Sequence, residues 1–211
     1  DKVQKKLFAY GGYSLIRVDD TTGAIDVELG ERVRQANEFG SDIYLSVHHN
    51  ATDPKTYTNV NGIKCLNGGG IVSITYTKSS ETSDKYSKII YDELIKETGL
   101  KGNRSTPLAK QNLYVCRETN MPSVLVELGF MDSITDVPII LSEDYAEKAS
   151  DGLVNALVKN DYDVTYLIKR KDILEDLVKQ TGVPYTVVRD KERAKSSKFG
   201  LKHYMVLASP C

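Results

Sequence analysis

Apolar positions along this chain follow two rhythms: short β-branched or aromatic runs, and longer stretches in which apolar residues recur at helical spacing. The runs predict strands over 13–17, 42–48, 70–76, 112–116 and 123–127. Helical spacing predicts helices over 28–39, 81–98 and 142–159. The middle helix has Ser79/Ser80 as its cap and Gly99 as its stop, with Tyr86, Ile89, Ile90, Leu94 and Ile95 on its apolar face. Gly40 closes the first helix, and Tyr145, Ala149, Leu153 and Leu157 mark the apolar stripe of the third. Residues 1–12 read as the second half of an amphipathic helix running into Gly11-Gly12, with Val3, Leu7 and Phe8 on one face; the numbered chain is expected to start inside an element.

Strands alternating with helices imply an α/β fold: three layers, a twisted and mostly parallel sheet buried between helices on both faces. Residues 19–23 form a turn cluster, and 51–69, rich in Asn, Gly, Thr and Lys, read as a long surface excursion of the kind that borders sites. Gly68–Gly70 lack the Lys-Ser/Thr of a phosphate loop and read as a flexible approach to the next strand. A polar break at Asn160–Asp163 divides a main domain, 1–160, from a small C-terminal α/β appendix, 164–211.

Composition changes the picture mainly by exclusion. With 28 Lys plus Arg against 29 Asp plus Glu and a net charge of -1, the chain offers no electrostatic case for a nucleic-acid partner. No apolar run reaches the length of a membrane span. Cys65, Cys116 and Cys211 are too sparse for a disulfide scaffold and lack paired CxxC spacing, so they read as plain thiols. Cys116 has no sequence cue for activation, which disfavours a cysteine hydrolase.

The chemistry concentrates at two strand ends. Ser123–Phe130 is a buried-strand pattern holding one carboxyl, Glu127, among aliphatic neighbours. Burial raises a carboxyl pKa toward neutrality, which suits a general base; an ion-paired glutamate at a strand terminus is the plain alternative. His48 and His49 close the strand 42–48, at the carboxyl edge where α/β sheets place ligand-binding groups. Strand alternation turns the two imidazoles to opposite faces, so a metal would take one and the other would pack; satisfied polar imidazoles are the competing reading.

Glu31–Asn37, Asp42–Ala51, Leu113–Arg117 and Met121–Phe130 together resemble, in order and spacing, the zinc-dependent N-acetylmuramoyl-L-alanine amidases, over about residues 1–159. The resemblance implies peptidoglycan as partner, Zn2+ as cofactor, His48 as a zinc ligand and Glu127 as the catalytic carboxyl. It implies an extracellular or cell-wall enzyme of bacteria, or a phage lysin. It also implies a further strand carrying a zinc histidine, and then a glutamate ligand, ahead of Asp1. The residues as numbered, if they were the whole molecule, are expected to lack a central strand, to hold little zinc and to be inactive.

Arg117 follows Leu113–Val115 near Glu127 and is a candidate contact for the muramoyl-peptide, with a surface ion pair as the alternative. Asn50 is a candidate for orienting a ligand, with a turn-forming role as the simpler account. Arg17 and Arg32 are expected to tie helix to loop. Residues 166–188 are similar to LysM glycan-binding modules, although Lys171 stands where those have glycine. The rival class of function is a non-catalytic peptidoglycan-binding protein retaining the amidase fold without a complete metal site.

Overall fold

The computed structural model describes residues 2–10, 13–20, 22, 24–159 and 203–208. The LysM-like stretch and nearly all of the expected appendix lie outside the described residues. In chain order the elements are α1 (Lys2–Tyr10), β1 (Tyr13–Arg17), α2 (Leu29–Phe39), β2 (Ile43–Asn50), β3 (Thr58–Val60), β4 (Ile63–Cys65), β5 (Val72–Tyr76), α3 (Glu81–Thr98), β6 (Leu108–Gln111), α4 (Tyr114–Glu118), β7 (Ser123–Phe130), α5 (Val137–Ile140), α6 (Tyr145–Lys159) and β8 (His203–Ala208).

The expected caps are in place. Ser80 Oγ accepts from Ser83 N at the start of α3, and Gly99 ends it in the left-handed region at φ 71°, as Gly40 does for α2 at φ 66°. Six strands form one sheet in the order β1-β8-β2-β7-β5-β6, with β5 antiparallel to β7 and every other pair parallel. β8 was expected inside the appendix, yet it lies in the main sheet between β1 and β2, pairing both. Thus the sheet runs without a gap from β1 to β7.

Two local expectations, 112–116 and Gly68–Gly70, are corrected and a third, 51–69, is refined. Residues 112–116, expected as a strand, give way to α4, where Arg117 N reaches back to Leu113 O at 3.0 Å. Strand propensity in Leu-Tyr-Val is outweighed there by packing that buries Val115 and Cys116 on one helical face. The 51–69 excursion holds its own antiparallel hairpin, β3 with β4. Gly68–Gly70 are clamped: Gly69 N donates to Asn103 Oδ1 at 3.1 Å and Gly70 N to Asp136 Oδ2 at 2.7 Å.

Two apolar cores cover the sheet, one on each face. Ile43, Leu45, Val124, Val126 and Leu128 of the sheet pack with Ile90 and Leu94 of α3 and Leu153 and Leu157 of α6. On the other face Tyr44, Val72, Ile74, Leu125 and Phe130 pack with Val33 and Ala36 of α2 and Val115 and Cys116 of α4. Burying each aliphatic side chain is worth about 1.5–3 kcal/mol, so these layers fix which way every strand faces.

Asp136 joins the ends of β7 and the glycine segment. It is 1% exposed, and its Oδ2 accepts from Phe130 N at 3.0 Å as well as from Gly70 N. Asp136→Ala would strand both buried amides. We expect it to lower unfolding free energy by about 2–4 kcal/mol in urea titrations; a loss below about 1 kcal/mol would show that the two ends are held by something else.

Candidate active site

The two cores decide where the candidate site's side chains point. In β2, Ile43 and Leu45 belong to the α3/α6 core and Tyr44 to the α2/α4 core, so Ser46 and His48 continue the α2/α4 face and His49 takes the other. In β7, Val124 and Val126 face α3/α6 while Leu125 faces α2/α4, which places Glu127 on the same side as His48. The parallel register then sets His48 directly opposite Glu127. Residues 79 positions apart in the sequence become neighbours at the carboxyl end of the sheet.

Beyond that pair the register skips. Asn50 pairs with Phe130, so β7 spends three steps where β2 spends two, an extra residue accommodated at Gly129 with φ 98°. A Cβ at Gly129 would sit 2.8 Å from Leu100 Cδ2. The bulge turns Phe130 back onto the Glu127 face, where its ring joins the α2/α4 core.

Glu127 is half-buried, and its Oε2 is shut off from solvent without a hydrogen-bond partner. Burial alone pushes its carboxyl up to about 7, with no cation among the described residues opposing the shift. His48 Nε2 lies 2.9 Å from Ser46 Oγ, a hydroxyl only 2% exposed. Burial first, then the Arg32 guanidinium and neighbouring His49, hold His48 below the ordinary imidazole value and so neutral at pH 7. Burial lowers His49 as well, opposed by a backbone contact at Leu128.

The surrounding loops are laced together. Thr52 N and Oγ1 donate to Asp132 Oδ2 at 2.7 and 2.8 Å, joining the segments that leave β2 and β7. Asn50 O accepts from Met131 N at 2.8 Å, and Asn50 Oδ1 accepts locally from Ala51 N at 2.8 Å. Arg117 lies on α4, donating from Nε to Glu118 at 2.6 Å and from Nη1 to Asn112 at 2.7 Å, with its guanidinium over the Tyr114 ring. Arg32, 4% exposed, ties α2 to the loop before it through Val27 O and Asp26, both at 2.7 Å.

Ser46 is the residue that sequence reasoning passed over. Its signal was simple: two positions before His48 in a strand, it must share that face. With Nε2 facing Ser46, Nδ1 is the His48 nitrogen left for another partner. A neutral imidazole of this kind suits a metal, yet no group of three His, Cys, Asp or Glu side chains able to hold one forms among the described residues. These residues alone therefore do not make a complete metal site.

Comparison with known proteins agrees on the family. The family described as N-acetylmuramoyl-L-alanine amidase matches residues 1–159. The N-acetylmuramoyl-L-alanine amidase CwlM of Bacillus licheniformis is 29% identical over 145 residues, covering 69% of this chain and 49% of that protein. The sporulation-specific N-acetylmuramoyl-L-alanine amidase of Bacillus subtilis is 28% identical over 148 residues, 70% of this chain and 51% of its own length. The chain thus spans about half the length of these curated relatives. Among solved structures, the N-acetylmuramoyl-L-alanine amidase from Clostridium difficile 630 superposes with a TM-score of 0.62 at 22% identity, covering 75% of this chain and 77% of that one. At that identity the likeness is one of fold.

The buried carboxyl has a measurable consequence for stability. A folded-state value of about 7 lies above the ordinary carboxyl value near 4.3, so the folded protein binds the extra proton between them. Its stabilising contribution is full below the unfolded value and is lost as pH rises through about 7. We expect Glu127→Gln, in chelator-containing buffer, to raise stability at pH 8 by on the order of 1 kcal/mol after allowance for partial solvent access. The gain should vanish near pH 4, the lower end of that interval. A gain that does not change with pH would mean the carboxyl ionises normally.

Proposed function

This chain belongs to the N-acetylmuramoyl-L-alanine amidase family, and we propose that it hydrolyses the amide between the lactyl group of N-acetylmuramic acid and L-alanine in peptidoglycan. It acts on the bacterial wall, as an extracellular or wall enzyme of the bacterium or as a phage lysin. The observation that carries this reading is the β2–β7 register, which sets His48 beside Glu127 on one face at the carboxyl end of the sheet.

Glu127 is the proton carrier. Near neutral pH it is present in both protonation states, so it takes the proton of the attacking water and hands it to the departing alanine nitrogen. Without that transfer the nitrogen would leave as an amide anion. Zn2+ is the proposed cofactor and His48 one of its ligands, with further donors needed beyond the described cluster. Held there in part by His48, zinc would supply Lewis-acid polarisation of the carbonyl and a bound water with its pKa lowered to about 7. Ser46 keeps the His48 ring turned, and Asn50 and Arg117 are the proposed contacts to the rest of the muramoyl-peptide.

A second reading, a wall-binding protein without catalysis, draws on there being no three-donor cluster among the described residues. The two separate in one assay. Purified peptidoglycan incubated with the protein should release L-alanine amino termini, and Glu127→Ala should slow that release about 10²–10⁴-fold. Co-sedimentation with walls and no new amino termini would favour the binding reading, and an unchanged rate in Glu127→Ala would remove the proton-carrier role. His48→Ala should lower zinc content measured by atomic absorption; full occupancy would sink the ligand assignment.

A further inference from the structure

We propose that Arg104 binds a carboxylate on the peptide part of the substrate, an inference that rests on the amide-hydrolase reading above. The guanidinium Cζ stands 4.9 Å from the centroid of the Phe130 ring, and that ring is 1% exposed. Arg104 itself is exposed and makes no hydrogen bond or ion pair with a described residue. A guanidinium laid on an aromatic face keeps its edge N–H groups free in a planar fork, the geometry that grips a carboxylate with two parallel bonds.

Placement supplies the rest. The β7 bulge puts Phe130 on the face that Glu127 occupies, so the cation resting on that ring sits on the reactive side of the sheet. Glu127 and Phe130 are three residues apart, at most ~10 Å of strand. A peptide leaving the scissile amide extends ~3.5 Å per residue, so a carboxyl on its second or third residue reaches Arg104 while the amide lies against Glu127.

The backbone that carries the cation is also fixed. Asn103 N donates to Gly69 O at 3.3 Å and Gly69 N returns a bond to Asn103 Oδ1 at 3.1 Å, so the backbone just before Arg104 is fixed to the glycine segment. Asp136 anchors that same segment to Phe130 N. Base, ring and the backbone that carries Arg104 therefore share one frame, which lessens the ordering left to be done when an anion binds.

The test uses the full chain carrying Glu127→Gln, so that bound substrate is not consumed. Calorimetry compares N-acetylmuramoyl-L-alanyl-D-glutamate with the same compound having both glutamate carboxyls amidated. We expect the free acid to bind about tenfold tighter, as a charge-assisted bidentate pair implies. Adding Arg104→Gln should reduce that preference to within about twofold, and Arg104→Lys should restore part of it. Equal affinities before Arg104 is changed, a preference that survives Arg104→Gln, or no binding of either compound would overturn the proposal. Failure of the unaltered chain to cut walls, with the Arg104-dependent preference intact, would instead count against hydrolysis alone.

Discussion

The pairing of β2 with β7 places every group of the candidate site, because a slip of one residue would turn His48 and Glu127 away from one another and bury their aliphatic neighbours on the wrong face. Two cores guard that register. Ile43, Leu45, Val124 and Val126 are each fully buried on the α3/α6 side, and Tyr44 is fully buried on the other. Exposing any of these would cost more than the site's polar contacts return, so packing dictates where the Glu127 carboxyl and the His48 imidazole stand.

β7 carries or anchors two carboxyls of opposite character. Asp136 accepts two backbone N–H bonds and closes the end of the strand. Glu127 has a buried oxygen with no partner and a proton affinity raised by that isolation. A satisfied carboxyl stabilises the fold, whereas an unsatisfied one is a standing cost, tolerated where proton transfer needs it. The Gly129 bulge between them is what allows both to exist on one strand end, since it re-aims Phe130 and brings its amide to Asp136.

Much of this was legible in the residues, and the exceptions have physical causes. α3 could be read because Ser80 and Gly99 bracket a long periodic stretch, and β2 and β7 because continuous apolar runs mark a doubly covered sheet. α4 could not, since five residues with strand-like composition take helical form only under the pressure of the core they cap. β6, with Leu108 exposed, has too little burial to leave a pattern. His48 and Glu127 stood out as polar groups in apolar company. Ser46 needed the face argument, and Arg104 rests on a ring 26 residues away in sequence, a contact no local pattern announces.

The proposed proton transfer rests on an isolated carboxyl whose titration midpoint lies near neutrality. Carbon-13 NMR of the protein labelled at glutamate side chains, with Glu127 assigned by its disappearance in Glu127→Gln, reads that directly. The Glu127 carboxyl signal should shift with a midpoint of about 7. A midpoint near the ordinary carboxyl value of about 4.3 would contradict this, because it would show that burial does not isolate the carboxyl and would leave it a weak base for taking the proton of the attacking water near neutral pH.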